Sequence, residues 1–203
     1  MSDVEFHFDF GSPNAYFVHK LLPDIEQRIG QKFTYVPILL GGIFKLTNNK
    51  PPFMQFEGTR NKMDYFRLEI QRFIAKHGLT DFIMNPDFPI NTVKIMRGAI
   101  VAERAGWYPA YIDAMFHHMW ESPKNMGDTD VIRGALIESG LDSDAILAGI
   151  EEQSVKDQLL RNTESSVERG NFGSPTFFVG DEMFFGKDRL ADVEEEIARQ
   201  NQT

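Results

Sequence analysis

The sequence predicts an α/β fold in which a β-α-β-α-β-β-α domain carries a large all-helical insertion. Three observations lead there. Residues 4–10 alternate apolar and polar side chains, then hand over to a helical period at Pro13. From about Thr59 to Gly170 helical periodicity dominates and strand signals are few. The chain then closes on a hairpin pattern and one amphipathic stretch.

Val4, Phe6, Phe8 and Phe10 alternate with Glu5, His7 and Asp9, which is the period-2 pattern of a strand. Tyr16, Phe17, Leu21, Leu22, Ile25 and Ile29 follow a helical period. Pro13 suits the first helical turn, where its missing N–H costs nothing, and Ser12 is a natural N-cap before it. Pro23 is expected to kink this helix. Phe33–Pro37 reads as a second strand, so the first part forms a parallel βαβ unit. Asn49 and Lys50 then fall in a loop leaving that strand, just before a Pro-Pro break.

The helical block divides into Thr59–His77, Asn91–Ala105, Tyr108–Glu121, Asp128–Ser139, Asp142–Ile150 and Glu152–Arg169. Asp128 and Asp142 are starting caps, and Gly78, Gly106, Gly140 and Gly170 follow helix ends. "SPTFFVGDEMFFG" is a hairpin of Thr176–Val179 and Glu182–Phe185 turning at Gly180-Asp181, and Arg189–Arg199 is the closing helix. Joined through the last helix of the block, the two ends make the topology of a thioredoxin-like fold. Residues 1–55 and 151–203 form its discontinuous domain, and residues 56–150 form the inserted helical domain.

Among the 203 residues, 42% are apolar, 25% are charged and 18 are Phe, the profile of a globular chain with an aromatic core. A net charge of −9 argues against nucleic acid and anionic membranes as partners. No apolar run is long enough to span a bilayer, and the acidic start "MSDVEF" is unlike a signal peptide, so a cytoplasmic protein is expected. With no cysteine, disulfides, thiolate metal sites and cysteine nucleophiles are all excluded. Any thiol chemistry must use a thiol carried by a ligand.

That absence gives Ser12 its interest. Thioredoxin-fold oxidoreductases begin their first helix with Cys-x-x-Cys, whose first thiol is acidified by the helix N-terminus. Here Ser12 holds the first position and Ala15 the second. What remains is an anion-friendly helix end with one hydroxyl donor, although Ser is also among the commonest plain caps. Ser174 precedes Pro175 just before a strand, where this fold expects a cis proline facing that helix end. The backbone of Ser174 could then pair with a peptide-like ligand. Asp188 or its neighbours, in "FFGKDRL", present N–H groups and a carboxylate that could hold a ligand's ammonium and carboxylate together, although an Asp at a helix start is also common without a ligand. His117, His118 and Glu121 have metal-like chemistry, but adjacent histidines diverge on a helix and no third ligand is apparent, so no metal is expected.

"FHFDFGSPNAYF", "GGIFK" with "NNKPP" and "KMDY", and "FGSPTFFVGDEMFFGKDRL" together resemble the family of 2-hydroxychromene-2-carboxylate isomerases and kappa-class glutathione transferases, relatives of DsbA-type proteins. The resemblance implies that glutathione lies across the thioredoxin-like domain. It implies that Ser12 bonds the glutathione sulfur and Ser174, before cis-Pro175, pairs with the tripeptide backbone. Lys187 and Asp188 would hold the γ-glutamyl end, with Asn49 and Lys62 at the glycyl end. Lys187 stands where the family more often has Ser or Asn, and Ser174 where it has Val or Leu. The implied activity is glutathione-dependent interconversion of 2-hydroxychromene-2-carboxylate and trans-o-hydroxybenzylidenepyruvate in aromatic catabolism, carried out by a homodimer on a small aromatic substrate. The alternatives are a kappa-like transferase or peroxidase acting on another electrophile, and a non-catalytic thioredoxin-like binding module.

Overall fold

A computed structural model describes residues 3–202. Strand β1 (Val4–Phe8) leads into helix α1 (Pro13–Ile29) and strand β2 (Thr34–Pro37). A run of helices follows: α2 (Leu40–Thr47), α3 (Pro52–Gln55), α4 (Lys62–His77), α5 (Val93–Ala105), α6 (Tyr108–Trp120), α7 (Thr129–Glu138) and α8 (Ser143–Gly149). Helix α9 (Gln153–Glu168), strands β3 (Thr176–Val179) and β4 (Glu182–Phe185), a 3₁₀ turn (Lys187–Arg189) and helix α10 (Leu190–Gln200) complete the chain. The sheet order is β2-β1-β3-β4. β1 runs parallel to β2, with Phe6 opposite Tyr35, and antiparallel to β3, with Phe6 opposite Phe177.

β1 therefore lies inside the sheet, and helices cover both of its faces. This is why the polar residues of its alternation are not solvated: His7 and Asp9 are as buried as Phe6 and Phe8. His7 Nδ1 meets Ser166 Oγ of α9 at 2.8 Å, and its Nε2 meets Glu5 at 2.7 Å. On the other face Phe6, Phe8 and Phe10 pack with Phe177, Tyr35 and Phe116 at ring separations of 4.9–5.8 Å. Each fully buried Phe contributes about 1.5–3 kcal/mol.

α1 starts and stops as its sequence requires. Ser12 accepts from Ala15 N, Pro13 stands in the first turn, and Gly30 closes the helix at φ +70°, a conformation a side chain would resist. The helix continues through Pro23. A carboxylate clamp fastens α1 to α6: Glu121 takes bonds from Tyr16 Oη at 2.9 Å and Lys20 Nζ at 2.9 Å, and lies 2.9 Å from His117 Nδ1. Burial pushes the Glu121 carboxyl up, but the bonds from His117, Lys20 and Tyr16 outweigh it and hold the group at about 2. A depressed folded-state value gives stability that is present above the ordinary carboxylate range and lost as pH falls toward about 2. Glu121→Gln should therefore be less stable than wild type at pH 7, and the difference should shrink through that window in acid denaturation. A gap independent of pH would remove the clamp from the account.

Two helices differ from the expectation of a loop after the second strand. The Gly41-Gly42 pair weakens any helical signal, so α2 rests on tertiary contacts. Gly42 lets α9 approach, since a Cβ there would stand 3.0 Å from Thr163 Cγ2. Thr163 Oγ1 in turn accepts from Leu39 N at 3.0 Å. α2 has no side-chain cap of its own, and a residue thirty-one positions earlier supplies one, as described next. α3 is a single turn started by the Pro-Pro break.

Candidate active site

The β1–α1 junction and the segment before β3 meet at one point. Ser12 Oγ donates to the Ser174 carbonyl at 3.0 Å while accepting from Ala15 N at 3.2 Å. The Ser174–Pro175 peptide is cis, and both serines are buried. Ser174 Oγ accepts from Asp9 N at 3.3 Å. The loop before it is held from below: Asn171 Oδ1 accepts from Gly173 N and from Thr176 Oγ1, each at 2.8 Å, and Asn171 Nδ2 donates to Ser166 Oγ at 2.7 Å. Pro175 is anchored on its far side, where its carbonyl accepts from Gly186 N at 3.0 Å. The turn carrying Lys187 and Asp188 is thereby fixed next to the proline.

The other residues singled out by sequence divide into two groups. Asn49 belongs with the serines through its neighbours: its Nδ2 donates to the Phe172 carbonyl at 2.8 Å, two residues before Ser174. Lys187 and Asp188 form an ion pair with each other at 2.7 Å. Lys62 stands apart, at the start of α4, with its ammonium 4.3 Å from the centre of the Phe56 ring and no hydrogen bond or ion pair to the other candidates. Asn49 and Lys50 lie beyond the C-terminal end of α2 rather than in a loop leaving β2, because α2 intervenes.

Two polar groups at the junction have no protein partner among the described residues. The Ser174 N–H donates to nothing. The Asn14 side-chain oxygen, in the first turn of α1, is enclosed without a donor. One spare donor and one spare acceptor suit a ligand with peptide C=O and N–H groups, and the N-terminus of α1 suits a thiolate. Glutathione carries both.

A family model for the DSBA-like thioredoxin domain matches residues 3–198. The chain belongs to this family. A 2-hydroxychromene-2-carboxylate isomerase of Sphingobium xenophagum is 26% identical over 191 residues, covering 94% of this chain and 95% of the relative. Glutathione S-transferase kappa 1 of Rattus norvegicus is 24% identical over 200 residues, covering 92% and 87%. A solved 2-hydroxychromene-2-carboxylate isomerase superposes with a TM-score of 0.83 at 25% identity, covering 98% of this chain and 96% of that one. The sequence resemblance and the thioredoxin-like fold are thus both borne out.

Within this DSBA-like frame one residue at the site escaped sequence reasoning. Asp9 sits where three helices begin. Its Oδ1 accepts from Gly11 N at 2.8 Å, at the entry to α1, and from Thr92 Oγ1 at 2.8 Å, at the entry to α5. Its Oδ2 accepts from Leu40 N at 2.8 Å, the first residue of α2. Its backbone carbonyl also accepts from Ser12 N at 3.0 Å. Burial pushes the Asp9 carboxyl up, against bonds from Leu40, Gly11 and Thr92 that pull it down. The close packing needs Gly11, since a Cβ there would lie 3.1 Å from Thr92 Cγ2 and 3.3 Å from Asp9 Oδ1. The available signal was Asp9 itself, a carboxylate inside the apolar run "FHFDFG" that no charge of the same stretch compensates.

Proposed function

We propose that this chain is a glutathione-dependent isomerase interconverting 2-hydroxychromene-2-carboxylate and trans-o-hydroxybenzylidenepyruvate. The observation that carries the reading is Ser12: a hydroxyl at a helix N-terminus, one hydrogen bond from the residue before a cis proline, in a chain without cysteine. The names of the isomerase relatives and the length of chain they share support it.

In this reading glutathione, when bound, supplies a thiolate that adds reversibly to the conjugated enone, so that the former double bond turns before it reforms. The protein's part is to hold and stabilise that sulfur. The first-turn N–H groups of α1 and its dipole favour a negative charge at Ser12. Ser12 cannot form a disulfide, so it acts as an inert donor. Its single hydroxyl proton now serves the Ser174 carbonyl. Turning that proton toward the sulfur releases the carbonyl, which a ligand peptide N–H can then satisfy while Ser174 N–H takes a ligand carbonyl. Asn49 and Lys62 are proposed for the glycyl end, and Lys187 and Asp188 for the γ-glutamyl end.

The test is isomerisation of the chromene, followed by absorbance with and without glutathione. Turnover that requires glutathione is the expected result. Conjugation of a chlorodinitrobenzene without chromene turnover would favour a kappa-like transferase. No glutathione binding at millimolar concentration would favour a non-catalytic module.

A further inference from the structure

His7 is a buried imidazole that the proposed chemistry leaves without a task. It is 3% exposed in β1, against the Phe178 ring of β3 and opposite Thr176. A row of hydrogen bonds runs through it to the loop that carries Ser174, and the protons along the row can be placed. Gly173 N–H can only donate, so the Asn171 atom 2.8 Å away is the amide oxygen, which also takes the Thr176 hydroxyl. The amide nitrogen then faces Ser166 Oγ at 2.7 Å and donates to it. Ser166 is fully buried, so its one proton needs an acceptor, and His7 Nδ1 offers one at 2.8 Å. Nδ1 therefore carries a lone pair. The imidazole proton sits on Nε2, 2.7 Å from the Glu5 carboxylate.

Both ends of the row thus agree on a neutral imidazole of one tautomer. The charged groups beside it are Glu5 of its own strand and Arg169, just past α9, which donates to Glu5 and lies over the Phe178 ring. Its other neighbours are uncharged: Ser166 of α9, Thr176 and Phe178 of β3, and Val36 of β2. Burial outweighs the pull of Glu5 and holds His7 below its ordinary range. An added proton would break the row. Nδ1–H would point at Ser166 Oγ, and the Ser166 hydroxyl proton would lose its acceptor in a place closed to water. Relief requires Ser166 or Asn171 to turn, and Asn171 fixes Gly173 N, one residue before Ser174.

We infer that neutral His7 is a positioning residue for the ligand-pairing backbone: through Ser166 and Asn171 it holds Gly173 and Ser174 in place without touching the ligand. The inference rests on the glutathione reading above. It adds a pH dependence of peptide binding that is separate from ionisation of the thiol.

S-methylglutathione isolates this effect, because its sulfur cannot ionise. Its affinity for the wild-type protein, titrated calorimetrically against pH, should be level above the His7 titration and fall about two- to tenfold through it, the range of one lost hydrogen bond. Nitrogen NMR of the imidazole should show the Nε2–H tautomer at pH 7 and place its titration where the affinity falls. Asn171→Asp separates positioning from the filling of space. The carboxylate still accepts from Gly173 N and Thr176 Oγ1, but it offers Ser166 an acceptor in place of a donor. The row then needs one proton more than in wild type, so the profile should invert, with tighter binding in acid and weaker binding as pH rises. A profile of unchanged sign in the variant would overturn the inference. So would a wild-type affinity that stays level while His7 titrates, or a His7 with its proton on Nδ1 at pH 7, each leaving glutathione binding intact. These two are wild-type measurements and decide even if the variant fails to fold. Binding of the peptide at no pH would overturn the glutathione reading and the inference together.

Discussion

Ser12→Ala should lower the proposed glutathione-dependent turnover by about 10²–10³, the cost of one donor to a developing or bound anion. The loss should not be total, because the first-turn N–H groups of α1 and the helix dipole remain. The bound thiol should titrate higher by up to about 1–2 units, as expected when a charge-assisted bond is removed from the thiolate. Raising the pH should then restore part of the lost rate by regenerating the thiolate. Two side effects follow from the bonds Ser12 makes in the protein itself. Removing the cap on Ala15 N should cost about 0.5–2 kcal/mol of stability. The Ser174 carbonyl should lose the one side-chain donor that Ser12 gives it. The deciding measurement is the ultraviolet absorbance of the bound thiolate against pH in both proteins. Superimposable titrations would reduce Ser12 to a helix cap and place the activation elsewhere.

The second large effect belongs to Asp9. Asp9→Ala strands three donors in the interior at once: Gly11 N, Leu40 N and Thr92 Oγ1. Each unsatisfied group costs about 1–3 kcal/mol, so the sum is a large part of a typical stability of about 5–15 kcal/mol. The urea midpoint should drop far below that of any surface variant. Asp9→Asn keeps one acceptor oxygen, so that Gly11 and Thr92 can stay bonded while Leu40 faces an amide donor, and its loss should be smaller. The sign of the pH dependence also follows. Burial raises the Asp9 carboxyl above its ordinary value, so the folded state takes up this proton more readily than the unfolded chain. The associated stability is fully present below the ordinary carboxylate range and is lost as pH rises through the raised folded value. The gap between wild type and Asp9→Asn should therefore widen on acidification. A gap that closes in acid, or an Asp9→Ala variant as stable as wild type, would refute this account of the residue.

Much of this was legible in the residues. The hairpin Thr176–Val179 with Glu182–Phe185 is found as read, because alternation and a Gly-Asp turn are local signals. The six helices of the block begin and end within three residues of their expected limits, since their caps are local too. Ser12 as a cap and Ser174–Pro175 as a cis bond beside it were likewise expected from position in the fold. What escaped depends on partners distant in sequence. α2 has two glycines and no cap within its own stretch, and it is held by Asp9 and by α9. Asp9 reads as the polar member of a strand alternation until a second layer of helices covers that face. The burial of Lys187 has no local signal either, because Phe73, more than a hundred residues earlier, is what lies against its ammonium.

The place of β1 between β2 and β3 governs how this chain can be made. β2 follows β1 almost at once, but the partner for its other edge, Thr176–Val179, is among the last segments synthesised. At translation rates of about 5–20 residues per second, that edge waits roughly ten to thirty seconds. Throughout that interval "VEFHF" is a short, phenylalanine-bearing strand with unpaired backbone groups, the kind of template on which chains add to one another. Ser12 meets Ser174 only when the wait ends, so a nascent or truncated chain that lacks its last thirty residues is both inactive at this site and sticky along one edge.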